Sequence, residues 1–271
     1  MPDDLHDVLG LLGTQGDASR DQTGWRLKSA ERLALAGNSW FASIAPAIRH
    51  DLLRSIHVRS YESGEWIFHT GSVVRAWMVC LAGAVRIATP FSAGERSITL
   101  RFLRPGQWFG DLPEHGSPVH THDASAFGSA RVGVVDREAV CALMDKHPEF
   151  HACLLDWQSM RLASVFGLLE ERATLGLSAR MVRQLHRLAK DYGRPEGGEV
   201  RIGLPLVQSD IAALVGCSRQ RANKVLGELA RQRLIRQEHG AFVVTDRKAL
   251  ERMVDDRRIG DLPKCRTSGV N

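Results

Sequence analysis

A chain of 271 residues, 44% hydrophobic and 25% charged, has ordinary globular composition and suits about two domains, which excludes a wholly disordered or collagen-like polymer. The formal charge of +5 is unevenly placed: residues 201–271 hold 14 Lys/Arg against 8 Asp/Glu, and the rest of the chain is close to neutral. A polyanion-binding module is expected in the last quarter, with a different role upstream.

Cys80, Cys141, Cys153, Cys217 and Cys265 are widely spaced and show no CxxC or Cys/His finger pattern. They read as unpaired thiols in a reducing cytoplasm. Met1-Pro2-Asp3-Asp4 opens no secretory signal, and no run of about 18 apolar residues offers a membrane span.

Residues 1–35 are polar and dotted with glycine, and read as an N-terminal extension, partly helical at most. From Trp40 to Ile56, the spacing of Phe41, Ile44, Ile48, Leu52 and Leu53 predicts a short amphipathic helix. Between Val58 and about Val135 short β-rich runs alternate with glycines. They are Trp66–Phe68, Ala76–Leu81, Ala84–Ile87 and Ser97–Leu100. Turns at that spacing predict a small antiparallel barrel, sandwich or jelly roll. Pro148 suits a first helical turn, and Phe150 to Leu175 then reads as one helix of about 26 residues, some 39 Å long. Leu155, Leu162, Val165, Phe166 and Leu169 lie near one stripe, which suits packing against a second copy of the helix. The alternative is a helix lying along its own domain. A further helix runs from Ser178 to about Tyr192, and Gly193, Pro195, Gly197 and Gly198 read as a linker.

The most specific signal lies at 205–245. Gln208–Val215 reads as a helix with Ile211, Leu214 and Val215 inward, Gly216-Cys217 as a tight turn, and Ser218 as the N-cap of a second helix. In that second helix Ala222, Val225, Leu226 and Leu229 form the apolar stripe. The opposite face carries Arg219, Gln220, Asn223, Lys224 and Gly227, basic and free of acids. Leu234–Arg236 and Phe242–Val244 then read as a hairpin wing. Helix, turn and capped helix form the helix-turn-helix pattern, whose second helix enters a DNA major groove. Arg pairs with guanine edges, Gln and Asn with adenine, while Lys224 and Arg221 suit a base or a phosphate.

Gly216-Cys217-Ser218-Arg219-Gln220-Arg221-Ala222-Asn223-Lys224, followed by Leu234-Ile235, resembles the winged helix-turn-helix of the bacterial Crp/Fnr transcription regulators. Gly64–Phe68, Leu81–Arg86 and Pro105–Leu112 resemble that family's cyclic-nucleotide-binding-type β-roll, in the same order along the chain. The resemblance covers about residues 38–250. It implies an α+β fold: a β-roll (36–147, jelly-roll-like), a long dimerisation helix (148–176) and a winged helix-turn-helix (177–250), flanked by the extension 1–35 and a tail 251–271. It further implies a cytoplasmic homodimer on a pseudo-palindromic duplex site, with RNA polymerase a further candidate partner and no membrane. The implied DNA-binding residues are Ser218, Arg219, Gln220, Arg221, Asn223, Lys224 and Gln208. Gln220 stands where the family's cyclic AMP receptor has Glu, so the target sequence is expected to differ. Val207 takes the usual Ser/Thr cap position of the first helix, so a cap or phosphate contact is expected to be missing.

The same resemblance places an effector pocket at Gly110, Asp111, Leu112, Thr121, His122 and Asp123. Family members that bind cyclic nucleotides carry Gly-Glu and then Arg-Ser/Thr-Ala there. Asp111 replaces the Glu, His122 the Arg and Asp123 the Ser/Thr. A neutral imidazole beside a carboxylate is a poor phosphate cradle, so the effector is expected to be something other than cyclic AMP. The loop also gathers Glu114, His115 and His120, a set that would suit a divalent metal, though a solvated loop explains it as well. No metal and no cofactor are expected. No GxSxG, HExxH, P-loop or GxGxxG motif is present, so the reading is a regulator and not an enzyme. The alternative is an effector-binding signalling module whose winged helix binds protein or nonspecific DNA.

Overall fold

The computed structural model describes residues 27–90, 97–112, 119–238 and 240–255. The chain divides within one long helix, after Arg161, into two units.

The first unit begins with α1 (Ser29–Ala36), α2 (Ser39–Ser43) and α3 (Pro46–Arg54). The single helix expected from Trp40 to Ile56 is broken at Pro46, which has no N–H to continue α2 but suits the first position of α3. Asn38 caps α2 by accepting from the Phe41 N–H at 3.0 Å. The extension expected through residue 35 also changes. In α1, Leu35 is buried and the Glu31 carboxylate, 2% exposed, pairs with Arg131. The turn at Gly106 (φ +87°) approaches so closely that a Cβ there would lie 2.2 Å from the Ala34 carbonyl. Residues 28–35 are thus part of this unit's packing.

The strands are β1 (His57–Tyr61), β2 (Trp66–Phe68), β3 (Ala76–Ala88), β4 (Thr99–Leu103), β5 (Trp108–Phe109) and β6 (Asp123–Asp136). They form one sheet in the order β1-β6-β3-β4, with β2 paired to β6 and β5 to β3. The two runs expected at Ala76–Leu81 and Ala84–Ile87 are one bulged strand. Gly83 (φ +74°) makes this possible, because a Cβ there would fall 2.1 Å from the Ser129 carbonyl. Strand alternation sorts β3 onto two cores: Trp77, Val79 and Leu81 face one, and Ala76, Met78 and Cys80 the other. Phe109, Leu103, Val85, Val132 and Val134 join the second, inside the roll. The first is roofed by α1–α3, by α4 (Arg137–Lys146) and by the start of α5 (Phe150–Thr174). Its centre is four tryptophans. Trp77 stacks on Trp108 at 4.1 Å between ring centroids and meets Trp157 edge-on at 5.0 Å and Trp40 at 5.4 Å.

Asp51 ties α3 to the end of α4, accepting from Lys146 at 2.7 Å and lying 2.8 Å from His147 Nε2. These hydrogen bonds, that from Lys146 foremost, hold its carboxyl at about 2 instead of the ordinary 3.8. A depressed folded-state value stabilises the fold above the unfolded carboxyl's titration range and is lost on acidification. Asp51→Asn is therefore expected to make stability less pH-dependent between about pH 4 and about pH 2. Urea midpoints measured across that window check it, and an unchanged acid slope would contradict the assignment.

The second unit holds the rest of α5 and then α6 (Leu177–Tyr192), β7 (Gly193–Glu196), β8 (Glu199–Ile202), α7 (Gln208–Val215), α8 (Arg219–Arg231), β9 (Ile235–Glu238), β10 (Ala241–Val244) and α9 (Arg247–Asp255). The segment expected as a linker at Gly193–Gly198 is instead a hairpin arm. It extends the wing into a four-stranded sheet ordered β7-β8-β10-β9. Its glycines serve the turn: Gly197 and Gly198 have φ of +58° and +88°. Ile202, Leu206, Ile211, Leu226, Leu229, Phe242 and Leu250 are buried, and α9 packs on α6. No helix among the described residues is long and apolar enough to cross a membrane.

Candidate nucleic-acid interface and sensor roll

Helix α7 ends where Gly216 takes the left-handed conformation (φ 68°, ψ 50°), so that the Gly216 and Cys217 N–H groups reach the Ala213 and Ala212 carbonyls. At the start of α7 Val207 offers no side-chain acceptor. Asp210 reaches back instead, accepting from the Val207 N–H at 2.8 Å. Ser218 caps α8 by accepting from the Arg221 N–H at 3.3 Å. Helix α8 closes with Arg233 in the left-handed region (φ 55°) and the Leu234 N–H on the Leu229 carbonyl, which turns the chain into the wing.

These caps fix the rotation of α8. Ala222, Leu226 and Leu229 are buried and Val225 is half-buried. Arg219, Gln220, Arg221, Asn223, Lys224 and Gly227 are exposed. None of the Arg219, Gln220, Asn223 or Lys224 side chains has a hydrogen bond or ion pair among the described residues. Gln208 differs: it is half-buried and donates its amide to Gln237 Oε1 of β9 at 3.0 Å, so it braces the wing. Two arginines of the wing sheet, Arg201 and Arg236, are engaged as well. Arg236 makes a two-pronged bond to Glu199, both at 2.9 Å, and Arg201 bonds Glu196 and Glu238. Helix α8 thus presents a positive face whose Arg219 and Lys224 have no partner among the described residues.

In the roll, the two candidate effector segments meet through Asp111. Its carboxylate lies 3.3 Å from His120 Nδ1 and takes the Thr121 backbone N–H. Burial pushes the Asp111 carboxyl up, but those hydrogen bonds and the Arg161 charge outweigh it and hold the group below its ordinary range. His120 is buried and stacks on Phe68 at 3.7 Å between centroids. Arg161 of α5 donates to the Gly110 carbonyl at 2.9 Å and lies over the Trp157 ring. Leu112 is buried in the tryptophan core. Thr121 and His122 are exposed and bond to each other at 2.9 Å. Asp123 is 3% exposed, and its carboxylate accepts from the Thr70 N–H at 2.8 Å and its hydroxyl at 3.0 Å.

A cleft of about 490 Å³ lies beside β2, lined by Trp66, His69, Thr70, Pro90 and Asp123. Of the six candidate effector residues, Asp123 alone lines this cleft. Glu114 and His115 lie outside the described residues, among which no group of three or more His, Cys, Asp or Glu is placed to hold a metal. Complete burial pushes the Cys80 thiol up to about 12, and burial raises Cys153 too, so neither is a ready thiolate. Sequence reasoning missed the Asp111–His120 contact, the Arg161 tether and the role of Thr70. Burial of a polar residue by distant strands leaves no local signal.

Residues 58–147 match the cyclic nucleotide-binding domain family, and residues 179–253 match the Crp-like helix-turn-helix domain family. A Mycobacterium tuberculosis protein named as a CRP-like cAMP-activated global transcriptional regulator is 28% identical over 222 residues, 82% of this chain and 98% of its own. A global nitrogen regulator of Synechocystis is 27% identical over 180 residues, 66% of this chain and 80% of its own. The crystal structure of a CRP/FNR-family transcriptional regulator from Thermus thermophilus superposes with a TM-score of 0.63 at 29% identity, covering 74% of this chain and all of the other. With a β-roll, a long helix and a winged helix-turn-helix in that order, and both families matched in place, the chain belongs to the Crp/Fnr family of DNA-binding transcription regulators.

Proposed function

We propose that the protein acts as a cytoplasmic homodimer that reads a pseudo-palindromic duplex site, one α8 per half-site, under control of an effector other than cyclic AMP. The observation that carries this reading is the outer face of α8. Its Arg219, Gln220, Asn223 and Lys224 are exposed, free of acids and unused within the fold. Side chains held out on a capped helix, with no internal partner, are the groups a major groove requires. Arg219, Gln220 and Lys224 read bases, with Arg221 and Asn223 beside them and Ser218 at the helix cap next to the phosphate backbone. The exposed stripe Leu155, Leu162, Val165, Phe166 and Leu169 of α5 supplies the dimer seam, Phe166 being 62% exposed in the single chain.

The effector reading rests on carboxylates that are already engaged. Asp111 is held by His120 and Thr121, and Asp123 by Thr70. No arginine of the Thr121–Ala124 segment is present to neutralise a cyclic phosphate. The same family membership supports a regulator role in place of a catalytic one.

Selection of binding sequences from random duplexes, followed by binding to selected and scrambled DNA at fixed salt, tests the reading. The selected site is expected to bind about 10³-fold more tightly or better. Arg219→Ala is expected to cost about 1–3 kcal/mol and relax choice at one base pair. Equal binding to both duplexes would favour the nonspecific or protein-binding alternative. Unchanged affinity of Arg219→Ala for the selected site would remove that residue from base readout.

A further inference from the structure

Arg172 and Arg180 meet beside the turn that leads into α8, Arg221 follows in the first turn of that helix, and no carboxylate among the described residues pairs with any of the three. Arg172, in the last turn of α5, lies over Gly216: a Cβ on that glycine would sit 3.5 to 3.6 Å from its Cζ and both terminal nitrogens. Near-equal distances to three atoms of one plane mean that the guanidinium lies face-on to the turn, which leaves its in-plane N–H donors pointing away from it. Arg180 of α6 donates to the Arg172 backbone carbonyl at 3.3 Å, and its Nε is buried with no partner. Arg221, in the first turn of α8, is exposed, and its charge and that of Arg180 both reach the Cys217 thiol. Nearby Glu171 is no counter-ion here, because it is held by Arg187 at 2.8 Å and by Arg183.

Like charges gathered around one turn repel one another, and no acid among the described residues pairs with them. An N-terminal helix end next to them adds further positive potential. The chemistry that answers such an arrangement is a phosphodiester oxygen, which takes planar N–H pairs from arginine.

We infer that Arg172, positioned by Arg180 and joined by Arg221, clamps a backbone phosphate of bound duplex DNA next to the bases that α8 reads. This rests on the reading of α8 as the base-reading helix and adds a contact outside the helix-turn-helix itself. A phosphate clamp sets register and affinity and leaves base choice alone.

The test uses the full-length chain and a duplex selected by the wild-type protein, with affinity measured from about 50 to about 200 mM salt. Removing one phosphate interaction is expected to flatten the log–log salt slope by about 0.9, so Arg172→Gln should flatten it by about 1.8 across two half-sites. Affinities for selected and scrambled duplexes should fall by the same factor, with their ratio kept. Arg172→Lys, which keeps the charge, should retain most of the slope, while a packing role would fail in both variants. A wild-type slope in Arg172→Gln, or altered preference at a single base, would overturn the clamp while leaving the reading of α8 intact. Wild-type protein that fails to distinguish selected from scrambled DNA would overturn both.

Discussion

Phe166→Asp is expected to convert the protein to a monomer and to weaken binding to a two-half-site duplex by about 10²–10⁴-fold. The residue lies mid-stripe on α5, 62% exposed, and Leu162, Val165 and Leu169 beside it are each more than half exposed. So many large apolar groups in one row cost solubility unless a partner covers them. The first turns of the same helix behave differently: Phe150, Leu154 and Trp157 are buried against the roll. In the proposed dimer a carboxylate at 166 would have to be desolvated against its symmetry mate. A monomer has no second, intramolecular binding step, which is the source of the large factor. Met160→Asp, on the other side of the helix, is the control and should keep wild-type mass. Sedimentation equilibrium gives the mass and anisotropy the affinity. A Phe166→Asp protein that stays dimeric, with wild-type affinity, would remove this face from the seam.

Trp77→Ala is expected to destabilise the first unit by about 3–5 kcal/mol, a large share of a domain's usual 5–15. Trp77 is completely buried and contacts Trp108, Trp157 and Trp40 at once. Its truncation would leave a cavity where two strands and two helices converge, with little freedom to collapse. Stacked and edge-on aromatic pairs add to the area term. Its indole N–H has no partner among the described residues, so truncation orphans no acceptor. Trp66, 40% exposed on β2, is the contrast: Trp66→Ala should cost about 1 kcal/mol or less. Urea unfolding followed by tryptophan fluorescence measures both. Equal destabilisation would mean that the tryptophan cluster is not the centre of the fold.

What the amino-acid order determined by itself was local. The 3.6-residue period placed Ala222, Leu226 and Leu229 inward and Arg219, Gln220 and Lys224 outward. Ser218 and Gly216 marked the helix ends because a cap and a left-handed turn depend on a few adjacent residues. Tertiary structure decided what depends on partners far along the chain. Residues 193–198, rich in Gly and Pro, carry no strand signal, yet Gly193–Glu196 pair with β8, which β10 in turn holds through Arg201 and Val243. Residues 28–35 read as part of a polar extension, yet Glu31 meets Arg131, a hundred positions away. Asp123 reads as a charge in a binding loop, yet Thr70 takes it into the roll. Periodicity reports which side of an element is apolar. Which distant groups satisfy a buried carboxylate, a sheet edge or a cluster of arginines is fixed only when the strands and helices pack.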